Sequence, residues 1–218
     1  MNSYVVDHIY IFSTQKGNEA ENLIRFGCTE GSSRIHLGQG TENRKFYFEN
    51  FFLEILWVRD ATEIQSKVTA PTKLWERSQF SENNHSPFGL CFVNSASTDD
   101  LFADAQTYQP AYFPNEMSID IIPNEAQPQL PWIFRLPYRG VQKKSTEPIH
   151  HTNGLQQLTK VIFEVETEKL NKQFTSQIED NSCIHFQTSH KNHLTLEFDQ
   201  QRQGKQHEFP ALQLTILY

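Results

Sequence analysis

Two side chains able to do chemistry sit inside apolar runs. His8 falls in YVVDHIYIF at 4–12, and Glu54 falls in FFLEILWV at 51–58. An imidazole in such a strand can ligate a metal, act as a general base near neutral pH, or be a buried histidine bonded to a neighbour. Glu54, flanked by Leu53 and Ile55, is the stronger signal, because burying a carboxylate without a partner is costly. Its partner could be a metal, His8, or Arg135 in an ion pair. A third candidate is HLGQGTEN at 36–43, where Gly38 and Gly40 allow positive φ and close backbone approach to a ligand beside His36, Thr41 and Asn43. The same residues also suit a plain β-turn in which Thr41 and Asn43 cap the backbone. His150 and His151 precede Asn153-Gly154, a polar turn leading into a strand. His185, His190, His193 and His207 stand singly at strand edges or in a Gln-rich hairpin tip, where solvation is the default.

These residues need elements to hold them. Segment 4–12 alternates polar with apolar and reads as a strand, and NEAENLIRFG follows with helix spacing and a glycine stop at Gly27. SRIHLG and RKFYFEN divide at the GQGTEN turn, and FFLEILWV comes next, so residues 1–60 spell βαβββ. The order recurs at 155–218: LTKVIFEV, a helix EKLNKQFTSQI, then CIHFQTSH, HLTLEFD and ALQLTILY. One such unit cannot bury both its sheet face and its helix alone, so neighbouring units must complete each other's core. Between them, 86–138 reads as an eroded middle unit: a strand at 86–95, a short helix at 99–108, and strands at 116–122 and 131–138. Segments 60–85 and 139–154 show no periodicity and read as surface connections. The expectation is an α+β chain forming one body.

Composition narrows the partners. The chain has 218 residues, and 19 Lys+Arg against 26 Asp+Glu give a net charge of −7 with no basic stripe, which argues against nucleic acid. Cys28, Cys91 and Cys183 are odd in number and far apart, without C-x-x-C spacing, as in a reducing, cytoplasmic setting. No leader pattern and no long apolar run is present, so no membrane contact is expected. No G-x-S-x-G, P-loop, H-E-x-x-H or dinucleotide fingerprint occurs, leaving serine hydrolase, NTPase, zincin and Rossmann readings without support.

DHIYIF at 7–12, HLGQGTENRKFYFEN at 36–50, FLEILWV at 52–58 and HHTNGLQQLTKVIFEV at 150–165 together resemble the glyoxalase-like proteins of the vicinal oxygen chelate superfamily. The resemblance is firm over 1–60, moderate over 145–218 and loose between. It implies paired βαβββ modules curled into half-open barrels, with a divalent metal on the concave face held near each module's first and last strands. Those positions fall on His8 and Glu54. The opposing positions fall on Phe88 and Arg135, or on Lys160 and Gln213, which are poor donors for a cation.

The expected site therefore has Glu54 and His8 as catalytic groups and as the ligands of at most a weakly held divalent ion, with waters completing its shell. His36, Thr41, Asn43, Trp57 and Arg135 are expected to bind a small molecule. Phe46, Phe48, Phe52, Trp57 and Trp132 are candidate aromatic walls. Three classes of function stand open: a metal-assisted lyase, isomerase or dioxygenase; a metal-free lyase or isomerase with Arg135 as electrophilic helper; and a binding or sequestering protein. The expected partner is a small-molecule ligand, with self-association into a homodimer the protein contact to test.

Overall fold

Apolar alternation and turn chemistry produce thirteen strands and four short α-helices in the computed structural model, which describes residues 4–140 and 146–218. The first unit is β1 (Val6–Phe12), α1 (Ala20–Arg25), β2 (Ser33–His36), β3 (Thr41–Tyr47) and β4 (Phe52–Val58). The turn before β3 is tighter than expected. Gly38 and Gly40 both take positive φ, and the His36 carbonyl accepts from the N–H groups of Gln39 and Gly40, so Thr41 and Asn43 already belong to the strand.

The connection at 60–85, expected to be irregular, carries α2 (Ala61–Ile64) and α3 (Leu74–Ser78). Asp60 starts α2 by accepting from the Thr62 and Glu63 N–H groups, and each helix buries an apolar residue, Ile64 and Leu74. Helices this short have no periodicity to read. The middle unit is β5 (Phe88–Asn94), β6 (Gln106–Tyr108), β7 (Ile119–Ile122) and β8 (Trp132–Arg139). The helix expected at 99–108 is replaced by a single 3-10 turn at Ala96–Thr98, further turns and β6. Leu101 and Phe102 are buried, and Ala105 packs against the same core, from turns rather than from a helix.

β1 to β8 form one sheet in the order β2-β3-β4-β1-β5-β8-β7-β6. Each half closes its first strand parallel to its last, β1 to β4 and β5 to β8, and the halves join antiparallel through β1 and β5. The C-terminal unit is β9 (Leu158–Glu166), α4 (Lys172–Glu179), β10 (Ile184–Ser189), β11 (His193–Phe198), β12 (Gln206–Phe209) and β13 (Leu214–Leu217), in a second sheet ordered β10-β9-β11-β13-β12. It departs from the βαβββ order of the first unit by an added strand, and β9 pairs parallel with β10 rather than with its last strand. β12 exposes Gln206, His207 and Glu208, so no apolar alternation announces it; backbone pairing to β13 makes it a strand.

The large sheet separates two cores. On its outer face Ile9, Ile11, Leu53, Ile55 and Leu90 pack with Leu23 of α1 and with Phe163 and Leu196 of the second sheet. On its inner face Tyr10, Phe12, Leu56, Ile121 and Trp132 pack with Ile64 and Leu74. Each such side chain contributes roughly 1.5–3 kcal/mol on burial, so the larger outer core is what fastens the second sheet to the first. A register shift in the β1/β5 pairing lies between Val6 and His8. Tyr4 and Val6 belong to the outer core, and so do Ile9 and Ile11, while Asp7 and His8 both border the inner face. This β-bulge builds the site. Among the described residues, no helix is long and apolar enough to cross a membrane.

Candidate functional site

The inner face encloses a cavity of about 410 Å³. Two rungs of strand neighbours form its floor. One runs Tyr47, Phe52, His8, Cys91, Phe134; the next runs Lys45, Glu54, Tyr10, Gly89, Trp132.

His8 is held on three sides. Its Nδ1 lies 2.7 Å from Asp7 Oδ1, Phe52 stacks on the ring at 4.4 Å, and Phe134 meets it edge-on at 5.2 Å. With Asp7 accepting from Nδ1–H, the Nε2 lone pair is left for a ligand. That Nε2 is 3.7 Å from Glu54 Oε2, too far for a direct hydrogen bond, so both atoms are available to a third group. Glu54 is buried, and its Oε1 accepts from Asn43 Nδ2 at 2.5 Å. Asn43 Oδ1 in turn accepts from the Arg34 backbone N–H at 2.7 Å, which fixes which end of the amide faces Glu54. The buried carboxylate thus finds its compensation in Asn43 and His8. Arg135 plays no part in it.

His36 also borders the cavity. Thr41 Oγ1 accepts from Gln39 Nε2 at 2.8 Å and lies within hydrogen-bond distance, 2.9 Å, of His36 Nδ1. The hydroxyls of Tyr108 and Tyr112 both donate to Gln39 Oε1, extending this network along the wall. Burial pushes the His36 pKa down to about 4, so it is neutral at physiological pH. The sign for stability follows. Below pH 6.5 the unfolded chain takes up a proton at this residue that the fold does not, until the folded group titrates near pH 4. Unfolding free energy is expected to fall across that window, and His36→Gln to flatten the slope, as read from urea titrations at pH 7 and pH 5. An unchanged slope in the variant would assign the acid sensitivity elsewhere.

Several expected contributors lie outside the cavity. Trp57 is on the opposite face of β4, where its ring packs against Gly17. Phe46 and Phe48 belong to the outer core. Of the aromatic candidates, Phe52 and Trp132 do line the cavity, joined by Tyr112, Phe113 and Phe134. Thr41 is fully buried and acts on the site through His36. Arg135 borders the cavity, but its guanidinium is bound to Asp99 and Asp120, each at 2.8 Å, over the Phe102 ring. It is unavailable as an electrophile. His151 is a staple: its Nδ1 accepts from Thr29 N–H and its Nε2–H donates to the Tyr47 carbonyl, both at 2.9 Å. His193 bonds Thr215, whereas His207 is exposed and stacks on Phe26 at the surface.

The metal that the family resemblance implies can be tested against these donors. His8 Nε2 and Glu54 Oε2 could share an ion. The opposing strands β5 and β8, however, present Gly89, Cys91, Trp132 and Phe134, and Phe88 faces the outer core. Lys160 lies in β9 of the second sheet and Gln213 in the turn just before β13, both away from the cavity. Only Cys91 of the opposing set is a donor, and burial, with Asp7 and Glu54 nearby, holds its thiol protonated. Donor atoms of Asp7, His8 and Cys91 lie within 4.8 Å of one another, but Asp7 already occupies His8 Nδ1. The residues present do not fit a four-donor chelate.

No family model matches the chain, and no curated protein matches it. Its fold is shared with solved structures. A hypothetical protein from Staphylococcus aureus superposes with a TM-score of 0.58 at 10% identity, covering 98% of each chain. A xylose isomerase-like TIM barrel/4-hydroxyphenylpyruvate dioxygenase fusion protein gives 0.52 at 12% identity, covering 90% of this chain and 36% of that one. What the chain shares with them is the fold, an α+β architecture of the glyoxalase-like class.

Proposed function

We propose that the chain binds a small molecule in the inner cavity and moves a proton on it without a resident metal, as a lyase or isomerase does. The observation that carries this reading is the line Asp7, His8, Glu54, with one short contact of 2.7 Å and one open gap of 3.7 Å facing the cavity. Asp7 orients the imidazole. Glu54, held by Asn43, takes a proton from a carbon next to a carbonyl, and His8 Nε2 is the second seat for that proton. The aromatic walls exclude water and hold a planar body against the floor.

The assay is deuterium uptake from D2O at the α-carbon of small aryl ketones and 2-oxo acids, followed by proton NMR. Exchange above the buffer rate supports proton transfer. Binding of these compounds without exchange favours a sequestering protein instead. A cytoplasmic location fits the three free thiols.

The donor set also gives an expectation for metal. Protein purified without chelator and dialysed is expected to hold no stoichiometric ion. Titration with Zn, Mn, Ni and Fe(II) should give at best weak binding through His8, Glu54 and waters. A stoichiometric ion surviving dialysis, with exchange lost on chelation and restored by one metal, would overturn the metal-free reading.

A further inference from the structure

The cavity has a third polar group beside the proton-transfer pair. His36 lines the same space as His8 and Glu54, and the charges of both act on its ring. Two contacts fix that ring, Nδ1 against Thr41 Oγ1 and the Tyr112 ring stacked at 5.1 Å. Its other nitrogen is unengaged. Among the described residues Nε2 forms no hydrogen bond, and it is not one of the sealed unpaired atoms, which on the cavity floor are the Tyr10 hydroxyl and the Trp132 indole nitrogen. It is therefore open to a ligand.

The groups behind the ring bear on which nitrogen holds the proton. Burial keeps the hydroxyls of Tyr108 and Tyr112 protonated, and each lies 3.3 Å from Gln39 Oε1, their shared acceptor. This turns the Gln39 amide nitrogen toward Thr41 Oγ1, 2.8 Å away, and an amide nitrogen can only donate. Thr41 is fully buried, and its hydroxyl has His36 Nδ1 at 2.9 Å as its other neighbour. A proton on Nδ1 would leave the hydroxyl proton without an acceptor, at a cost of about 1–3 kcal/mol. A bare Nδ1 accepts from that hydroxyl and satisfies every group in the chain.

We infer that His36 carries its proton on Nε2 and donates it in a hydrogen bond to the carbonyl oxygen of the ligand, as a catalytic residue of the proton transfer. The assignment rests on the reading that Glu54 takes the α-proton. The C–H electron pair then becomes the C=C bond of an enolate, and the carbonyl π pair moves onto oxygen. There the Nε2–H group holds it without giving up its proton. Return of a proton to the carbon reverses each change. A neutral imidazole suits this task, because an imidazolium would lower the basicity of Glu54. His36 thus fills the electrophilic role that Arg135, bound to Asp99 and Asp120, cannot.

The test uses the full-length 15N-labelled protein, whose nine histidines give nine ring patterns in a long-range 15N–1H spectrum; that of His36 is the one missing from His36→Gln. A bare Nδ1 and a protonated Nε2 are expected at pH 7, unchanged down to pH 5 because the group titrates near pH 4. Acetophenone titrated into the sample is expected to move the Nε2 proton downfield. His36→Phe should lower deuterium exchange at the acetophenone α-carbon by about 10²–10³-fold, the usual cost of losing one such donor. His36→Gln keeps a neutral donor and should lose less. Thr41→Val removes the hydroxyl that selects the tautomer and should mix the two ring patterns. A proton on Nδ1 in the wild type, or acetophenone binding that leaves the Nε2 proton in place, would overturn the inference, as would exchange that His36→Phe leaves unchanged. If wild-type exchange persists in those cases, the proton-transfer reading stands without His36. Acetophenone that shifts the Nε2 proton but takes up no deuterium would sink the proton-transfer reading and leave the donor in place. If neither acetophenone nor phenylacetone binds, both readings fall.

Discussion

Glu54→Gln is expected to lower α-proton exchange by about 10²–10⁴-fold, the usual contribution of a positioned general base. The amide keeps an oxygen that accepts from Asn43, so the hydrogen bond at Oε1 survives while the basic oxygen facing the cavity is lost. Removing a buried charge also removes its desolvation cost, so thermal stability should hold or rise. A variant with full exchange would show that Glu54 is not the base and would transfer that role to His8. A variant that fails to fold would show instead that the carboxylate is a structural partner of Asn43 and His8.

Arg77→Met should lower the unfolding free energy by about 3–6 kcal/mol. The guanidinium satisfies three carbonyls, that of Ser86 before β5 and those of Pro123 and Leu130 in the connection between β7 and β8. A buried carbonyl stripped of its donor costs about 1–3 kcal/mol, and methionine fills the volume without replacing any bond. Against a typical total of about 5–15 kcal/mol, this is a large fraction of stability. Arg77→Lys should recover only part of the loss, because one ammonium cannot reproduce the planar fork. Urea midpoints at constant slope measure both. A loss below about 1 kcal/mol would mean that water or neighbouring donors replace the side chain.

Much of the first unit was legible because alternation in β1 and β4 is regular beyond the bulge. His8 and Glu54 stand out as polar residues among apolar ones, and strand pairing brings them together. The same alternation could have placed more. Tyr10 is two residues from His8 and so shares its face, whereas Trp57 is three from Glu54 and must turn away. Phe46 and Phe48 are likewise out of phase with the cavity-facing Asn43 and Lys45. Asp7 was not legible, because strict alternation puts it opposite His8 and nothing in the residue types marks a bulge. Arg77, in a segment without periodicity, gave no signal, and two of its three carbonyl partners, Pro123 and Leu130, come from a distant connection. The helix expected at 99–108 gives way to turns and the short strand β6 although Leu101, Phe102, Ala105 and Tyr108 have helical spacing, so the pattern of residue types does not separate the two outcomes.

The bulge in β1 divides the strand into two stretches read in different phase. Even-numbered residues point to the outer core before it, as Tyr4 and Val6 do, and odd-numbered ones after it, as Ile9 and Ile11 do. A replacement at Asp7 or His8 changes one side chain and leaves the phase intact. Deleting either residue would restore a single phase, and one half of the strand would then have to turn over. Either Tyr4 and Val6 would leave the outer core, or Ile9 and Ile11 would swap places with Tyr10 and Phe12. At this point of the chain length matters more than identity, so the strand should accept many substitutions and almost no change in residue number.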